Sequence, residues 1–224
     1  MSLLASISRN SVLLGLFAAA TAAGIAYTWQ ATEADIERSV RAAEARKLLE
    51  IFPPESHNNE LIDDRFSVEA STPLLSLRNT RDGYTARING DVVGIILPVT
   101  ARDGYSGDID MLVGITASGD VAGVRVISHR ETPGLGDAVD LRKSPWILGF
   151  NSRSLTDPTP ANWAVKKDGG VFDQFTGATI TPRAVVDATR RALEYAEREA
   201  QRLFDPPLAA ADPSGDSQGD TASE

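Results

Sequence analysis

The chain has 224 residues, a formal net charge of −9 and no cysteine. Disulfides, thiolate zinc sites, cysteine-ligated iron–sulfur clusters and covalent c-type haem are therefore excluded. With only two histidines we predict no metal site, so electron transfer by this chain would need an organic cofactor. The acidic balance, without a basic patch that carries aromatic residues, also argues against binding to nucleic acid.

The N-terminal part of the chain contains a long apolar stretch, since residues 10–32 carry no charged side chain. We predict a single transmembrane helix over residues 11–31, because about 20 apolar residues span a hydrocarbon core of roughly 30 Å. Tyr27 and Trp29 fit an interfacial belt at its far end. The alternative is a signal peptide cleaved at Ala20-Thr21-Ala22, but the apolar stretch continues past that site.

The charges on either side of this stretch predict its orientation. Arg9 lies on the short side, within residues 1–10, whereas acidic residues come first on the other side, starting at Glu33. Because basic residues beside a span stay in the cytoplasm, residues 1–10 are predicted to be cytoplasmic. The following domain is then predicted to lie on the periplasmic side of the inner membrane of a Gram-negative cell.

A second helix is predicted within residues 32–54, as a stalk or a packing helix. Thr32 and Asp35 resemble a capping pair at its start. Pro53-Pro54 is expected to end it after Ile51, because proline removes a helical hydrogen bond and clashes with the preceding turn.

The middle of the chain has strand-like patterns after a polar, loop-like stretch, residues 55–70. The predicted strands are Leu74–Leu77, Tyr84–Ile88, Val92–Val99, Ile109–Thr116 and Val121–Ser128. Asn89-Gly90 is typical of a hairpin turn, and residues 117–120 mark a second one. The alternation predicts an antiparallel sheet with one buried face. With helices on its flanks the domain is of the α+β class, and the sequence lacks the βαβ units and glycine fingerprint of a Rossmann site.

The stretch Asp173–Arg183, DQFTGATITPR, joins a turn of small residues to a helix start. Thr181 is predicted to be the N-cap and Pro182 the first residue of a helix that continues to Phe204. Threonine hydroxyls beside the free N–H groups of a helix start can hold a phosphate. The same pattern is also typical of a plain helix cap, so the residues alone leave both interpretations open.

This stretch resembles a known motif. Asp173-x-x-Thr176-Gly177-Ala178-Thr179 is similar to the flavinylation motif of FMN-binding domains, Asp-x-x-(Ser/Thr)-Gly-Ala-Thr. Three further blocks, Gly104–Ile109, Leu112–Ile115 and His129–Asp137, resemble the G subunit of the Rnf/Rsx ion-translocating electron transport complex. A sister family is the C subunit of the sodium-pumping NADH:quinone reductase. With the membrane anchor, the resemblance covers most of residues 10–204.

The resemblance implies a membrane-anchored flavoprotein that carries electrons through covalent FMN, in a complex that couples electron transfer to ion translocation. A flavin transferase would join the FMN phosphate to Thr179 as a phosphoester, and the other subunits of the complex would be partners. The FMN-binding domain is expected over residues 55–204. The residues expected beside the cofactor are Thr176, Gly177 and Ala178 of the motif, Thr181 just after it, and Glu131, Thr132, Gly134 and Leu135 of an earlier loop.

Two other functions remain open. The chain could be an anchored periplasmic binding or scaffold module without a cofactor, in which the threonines only cap a helix. It could also be a free-standing flavin reductase, although no nicotinamide site is evident. We expect no catalytic residue and no independent catalysis from the isolated chain, because threonine is a weak nucleophile without an adjacent base. Residues 205–224, with five acids and no basic residue, are predicted to be a disordered tail.

Overall fold

The computed structural model describes residues 3–204, with the side chains of residues 3–10, 34, 37 and 40 excepted. The predicted tail, residues 205–224, lies outside the described residues. The chain divides into two compact units, of which the second begins at Lys47.

The first helix, α1 (Leu3–Ile51), runs without interruption for 49 residues. Its segment Ser11–Glu33 is long and apolar enough to cross a membrane, and none of it is buried within the protein. A separate helix start at Thr32 was therefore a wrong prediction. The Thr32 hydroxyl donates to the Thr28 carbonyl at 2.8 Å, because a threonine inside a helix can bond back to the preceding turn. The predicted end of the helix at Ile51, before Pro53, is confirmed.

The second unit is built on a five-stranded sheet in which every pair of neighbours is antiparallel. Its strands, in sheet order, are β1 (Arg65–Val68), β2 (Arg81–Ile88), β3 (Asp91–Ala101), β4 (Ile109–Thr116) and β5 (Val121–Ser128). The predicted bounds of β4 and β5 are confirmed. The Asn89-Gly90 hairpin is also confirmed, with φ of 54° and 98°, the left-handed conformation that a two-residue hairpin turn requires.

Two local predictions in this region were wrong. Leu74–Leu77 forms turns rather than a strand, with Ser76 at a φ of 52°. Leu75 and Leu77 are fully buried, so this segment is apolar because it fills the core and not because it is extended. Conversely, β1 lies in the stretch predicted to be a loop, because its pairing with β2, such as Phe66 opposite Gly83, is set by tertiary contacts.

One face of the sheet packs against the C-terminal helices, α2 (Ile180–Arg198) and α3 (Ala200–Phe204), and against short 3-10 helices. The single helix predicted to reach Phe204 is thus interrupted at Glu199. Of the 3-10 helices, Gly136–Val139 and Pro145–Phe150 contribute buried residues to this core, and the others span Pro54–Ser56, Pro160–Asn162 and Lys166–Asp168. The main core contains Leu97 of β3, Val113 of β4 and Val185 of α2. This arrangement places the start of α2 beside the loop that follows β5.

The opposite face of the sheet is also covered, so the prediction of a single buried face was wrong. Glycines of three neighbouring strands, Gly94, Gly114 and Gly123, lie where α1 ends. A Cβ atom on Gly114 would stand 2.1 Å from Cγ2 of Ile51, and one on Gly94 would stand 2.3 Å from the Phe52 ring. The glycines therefore form a shallow groove that admits the end of α1.

We expect Gly114→Ala to destabilise the protein by about 1–3 kcal/mol, because the added methyl group overpacks the groove against Ile51. Urea unfolding of the full chain in detergent, followed by tryptophan fluorescence, measures this loss. The matched control is Gly149→Ala, since a Cβ atom there meets nothing within 4 Å. Equal stability of the two variants would contradict the groove.

Candidate functional site

The motif forms a tight turn directly before α2. The Ala178 N–H donates to the Phe175 carbonyl at 3.2 Å, which closes a four-residue turn. Gly177 occupies its third position with φ of +80°, a conformation that favours glycine because it has no Cβ atom. Thr179 follows the turn and immediately precedes Ile180, the first residue of α2.

Contacts of Asp173 and Phe175 with other parts of the domain hold the turn in place. The Trp146 indole N–H donates to the Asp173 carbonyl at 2.7 Å, and its ring contacts Phe175 edge-on, with ring centroids 5.0 Å apart. Asp173 also forms an ion pair with Lys166, with 2.6 Å between Oδ1 and Nζ. The first residue of the motif therefore serves as an anchor for the turn.

Thr181 is not the N-cap, and that prediction was wrong. It is the second residue of α2, is 0% exposed, and donates from Oγ1 to Oε2 of Glu131 at 2.5 Å. Thr179 stands at the N-cap position, but its side chain makes no capping hydrogen bond. The helix begins before the predicted first residue, Pro182, which is tolerated there because the N–H groups of a first turn have no helical partner.

Glu131 is the acceptor that organises this region. Its side chain is buried, with 4% of the residue exposed, and Oε1 accepts the Ser106 backbone N–H at 2.9 Å while Oε2 accepts the Thr181 hydroxyl. A Cβ atom on Gly104 would come within 3.0 Å of Oε1, and one on Gly136 within 2.7 Å of Oε2. Glycine at these positions lets two backbone segments approach the carboxylate closely.

These segments and the start of α2 enclose a cavity of about 230 Å³. Its lining is Tyr105, Glu131, Thr132, Leu135, Gly136, Gly177, Ala178, Thr179, Ile180 and Thr181. Most of the residues expected beside a cofactor are thus brought together. Thr176 and Gly134 are not in the lining: Thr176 is exposed on the turn, and Gly134, at φ of +77°, shapes its loop by donating to Asp137 at 2.7 Å.

Sequence reasoning missed Tyr105 and Ile180 as lining residues, whereas Gly136 lies in the loop Arg130–Asp137, which was expected to line the pocket. Tyr105 is 69% exposed and Ile180 is 45% exposed, and with Leu135 at 44% they place apolar surface at the cavity. The signal for Tyr105 was its place in the Gly104–Ile109 block. A cavity with apolar walls and a few polar groups is typical of a site for a flat organic ligand.

The hydroxyl of Thr179 differs from those of its neighbours. Thr179 is partly exposed, lines the cavity, and its hydroxyl makes no hydrogen bond to any residue in the described part of the chain. Two cations near the motif have carboxylate partners: Lys166 pairs with Asp173, and Arg183 pairs with Asp168 through two hydrogen bonds of 2.5 Å. The hydrogen bonds from Arg183 lower the pKa of the Asp168 carboxyl, so this pair persists at neutral pH.

Comparison with known proteins identifies the class of the domain. Residues 104–194 match the model of the FMN-binding domain, and residues 1–51 match that of the RnfG N-terminal region. The turn before α2 lies in the first of these ranges, as does every residue that lines the cavity. The chain therefore carries an FMN-binding domain.

Full-length relatives give the family. The chain is 51% identical over 205 residues to the G subunit of the ion-translocating oxidoreductase complex of Pseudomonas aeruginosa, a match that covers 92% of this chain and 95% of the relative. The protein of the same name from Shewanella loihica is 45% identical over 202 residues, covering 90% and 95%, and that from Vibrio cholerae is 40% identical over 205 residues, covering 92% and 97%. The chain belongs to the family of G subunits of ion-translocating oxidoreductase complexes, which confirms the resemblance.

Thr181→Val is expected to destabilise the protein by about 1–3 kcal/mol, because a buried carboxylate loses one of its two hydrogen-bond donors while the side-chain shape is kept. Chemical denaturation of the full chain measures this. Thr176→Val, at an exposed turn position, is the control and should stay within roughly 0.5 kcal/mol of the parent. A cost no larger at position 181 than at 176 would contradict the role given to Thr181.

Proposed function

We propose that this chain is a membrane-anchored flavoprotein that carries electrons through FMN joined to Thr179 as a phosphoester, within an ion-translocating complex. The observation that carries the proposal is the difference in exposure and hydrogen bonding among three threonines in and beside the motif. Thr176 is exposed outside the cavity lining, Thr181 is buried and bonded to Glu131, and Thr179 lines the cavity with a free hydroxyl. Geometry thus supports Thr179 as the attachment point.

The surroundings of Thr179 fit a phosphate. The first turn of α2 can donate through the backbone N–H groups of Ile180 and Thr181. The next residue, Pro182, has no N–H group. The positive end of a helix also favours an anion by about 0.3–1 kcal/mol at an exposed site. Lys166 and Arg183 already have carboxylate partners, so the helix start is the main source of binding for the phosphate.

The cavity beside the helix start fits a flat ring system. Tyr105, Leu135 and Ile180 supply apolar surface that can exclude water from one side of the ring, and Glu131 and Thr132 supply polar atoms. FMN, when bound, supplies the redox chemistry, and the protein contributes placement and electrostatics. We infer no independent catalysis, because the site holds a threonine without a free base beside it.

Maturation therefore requires a second protein. Glu131, the carboxylate that lines the cavity, is engaged by Ser106 and Thr181 and is not available to activate Thr179. A weak nucleophile without a base does not esterify itself. A dedicated flavin transferase is the proposed partner for this step, and the other subunits of the complex are the proposed partners of the mature chain.

The anchor gives the proposed location. Ser11–Glu33 can cross a bilayer, with residues 1–10 in the cytoplasm and the FMN-binding domain, residues 55–204, on the periplasmic side of the inner membrane. Residues 32–54 would connect the span, residues 11–31, to the domain. The relatives are named as subunits of an ion-translocating complex, which supports a membrane location.

Thr179→Ala is expected to abolish covalent flavin while the domain still folds, because the Thr179 side chain makes no hydrogen bond to the residues that the structure describes. The chain is co-expressed with a flavin transferase, and flavin fluorescence of the denatured band is combined with peptide mass mapping. Thr176→Ala is the matched control and should keep one FMN per chain. Flavin that persists on Thr179→Ala, or maps to Thr181 in the parent, would overturn the assignment; a colourless parent would favour a scaffold without cofactor.

The anchored topology makes a separate prediction. The protein should stay in the membrane after a carbonate wash, because the apolar segment Ser11–Glu33 is not extracted by alkali. Protease should reach the domain only after the outer membrane is opened. A mature N-terminus near Ala23 would show instead that the segment is a cleaved signal peptide.

A further inference from the structure

The cavity wall contains a buried negative charge that the attachment of FMN does not need. Both oxygens of Glu131 accept hydrogen bonds, one from the Ser106 N–H and one from the Thr181 hydroxyl, which is the pattern of an ionised carboxylate. In the described part of the chain Glu131 forms no ion pair with a lysine, arginine or histidine. The groups that offset its charge are two neutral hydrogen-bond donors and the positive end of α2.

The other buried carboxylates of the domain differ from Glu131. Asp140 forms an ion pair with Arg142, with 2.5 Å between Oδ2 and Nη2, and Asp137 accepts the Gly134 N–H. Neither lines the cavity. Among the buried carboxylates that the structure describes, Glu131 is thus the one that lines the cavity and forms no ion pair with a described residue.

We propose that the charge of Glu131 lowers the reduction potential of the flavin bound at Thr179, an inference that rests on the proposed function. An electron added to the ring brings negative charge into the cavity. A fixed negative charge in a wall of low polarity repels it far more strongly than a charge in water would, and dissolved salt screens it poorly. The reduced flavin is therefore disfavoured relative to the oxidised flavin.

Thr181 has a matching role in this arrangement. Its hydroxyl donates to Oε2 and so withdraws part of the carboxylate's charge from the cavity. Glu131 itself gains and loses nothing during reduction. The electron passes from an external reductant to the flavin, and any proton that the flavin takes up comes from water.

The test compares midpoint potentials of the full chain, loaded with FMN by co-expression with the transferase and held in detergent. Intact mass first confirms one FMN per chain, and a dye-mediated redox titration with dithionite then gives the potential. Glu131→Gln keeps the size of the side chain and removes its charge, so the potential should shift upward. The shift should persist at about 1 M salt, where the screening length in water is only about 3 Å. Asp140→Asn removes a paired carboxylate outside the cavity and should leave the potential unchanged.

Thr181→Val should shift the midpoint potential in the opposite direction to Glu131→Gln. Without the hydroxyl the carboxylate is less compensated, so the potential should shift downward, and this variant decides the question if Glu131→Gln is not loaded. A potential that is unchanged or lower in Glu131→Gln, or unchanged or higher in Thr181→Val, would overturn the inference while leaving the proposed function intact. A parent chain without the FMN mass would instead contradict the proposed function.

Discussion

The hydrogen bonds to the Glu131 carboxylate bring together three segments that are far apart in the sequence. Burying a charged carboxylate is costly unless hydrogen bonds replace its hydration, and here an amide from the loop after β3 and a hydroxyl from α2 supply them. The loop after β5 contributes Glu131 itself. Gly136 is a consequence of this arrangement, since a Cβ atom there would stand 2.7 Å from Oε2 of Glu131, whereas a Cβ atom on Gly104 would collide first with the Gly107 carbonyl, at 2.2 Å. The cavity is shaped by these three segments, the loops after β3 and β5 and the start of α2, where they meet around Glu131.

The sheet provides the rigid base on which these loops are placed. One face carries α2, whose first turn forms part of the cavity, and the other face receives the end of α1 in the glycine groove. Arg125 closes this second contact: its guanidinium donates to the Glu50 carbonyl and to the Glu50 carboxylate, both at 2.8 Å. The last carbonyls of a helix lack helical partners, so this side chain satisfies one of them.

Burial and hydrogen bonding give different roles to chemically similar residues of the site. Three threonines lie close together in the sequence, yet one is exposed on a turn, one lines the cavity and one is sequestered against a carboxylate. Two cations also have structural roles here. Lys166 pairs with Asp173 of the motif turn, and Arg183 of α2 pairs with Asp168. Of these threonines, Thr179 is the one beside the helix start whose hydroxyl makes no hydrogen bond to the residues that the structure describes, and the proposed attachment of FMN rests on this difference.

Local patterns were sufficient for much of this protein. The uncharged stretch of α1, the alternation in β4 and β5 and the Asn89-Gly90 turn depend on neighbouring residues, so their physical signals are present in the sequence. The turn at Gly177 could be predicted for the same reason, and the family resemblance pointed to the loop that contains Glu131. The prediction of a cap at Thr181 was reasonable from local chemistry and was wrong.

Tertiary contacts decided the rest. The hydrogen-bond partner of Thr181 lies 50 positions away in the sequence. Local sequence patterns predict that a threonine caps a helix, but they do not predict a hydrogen bond to a distant carboxylate. The turns at Leu74–Leu77 have the composition of a strand because both kinds of segment bury apolar side chains, and β1 is too short to show an alternation of its own. The sequence by itself thus determined the apolar stretch of α1, the strands β4 and β5 with the hairpin turn before β3, and the motif turn. The tertiary structure decided which hydroxyl is free, which carboxylate lines the cavity and which glycines admit a helix, because each depends on burial against residues distant in the chain.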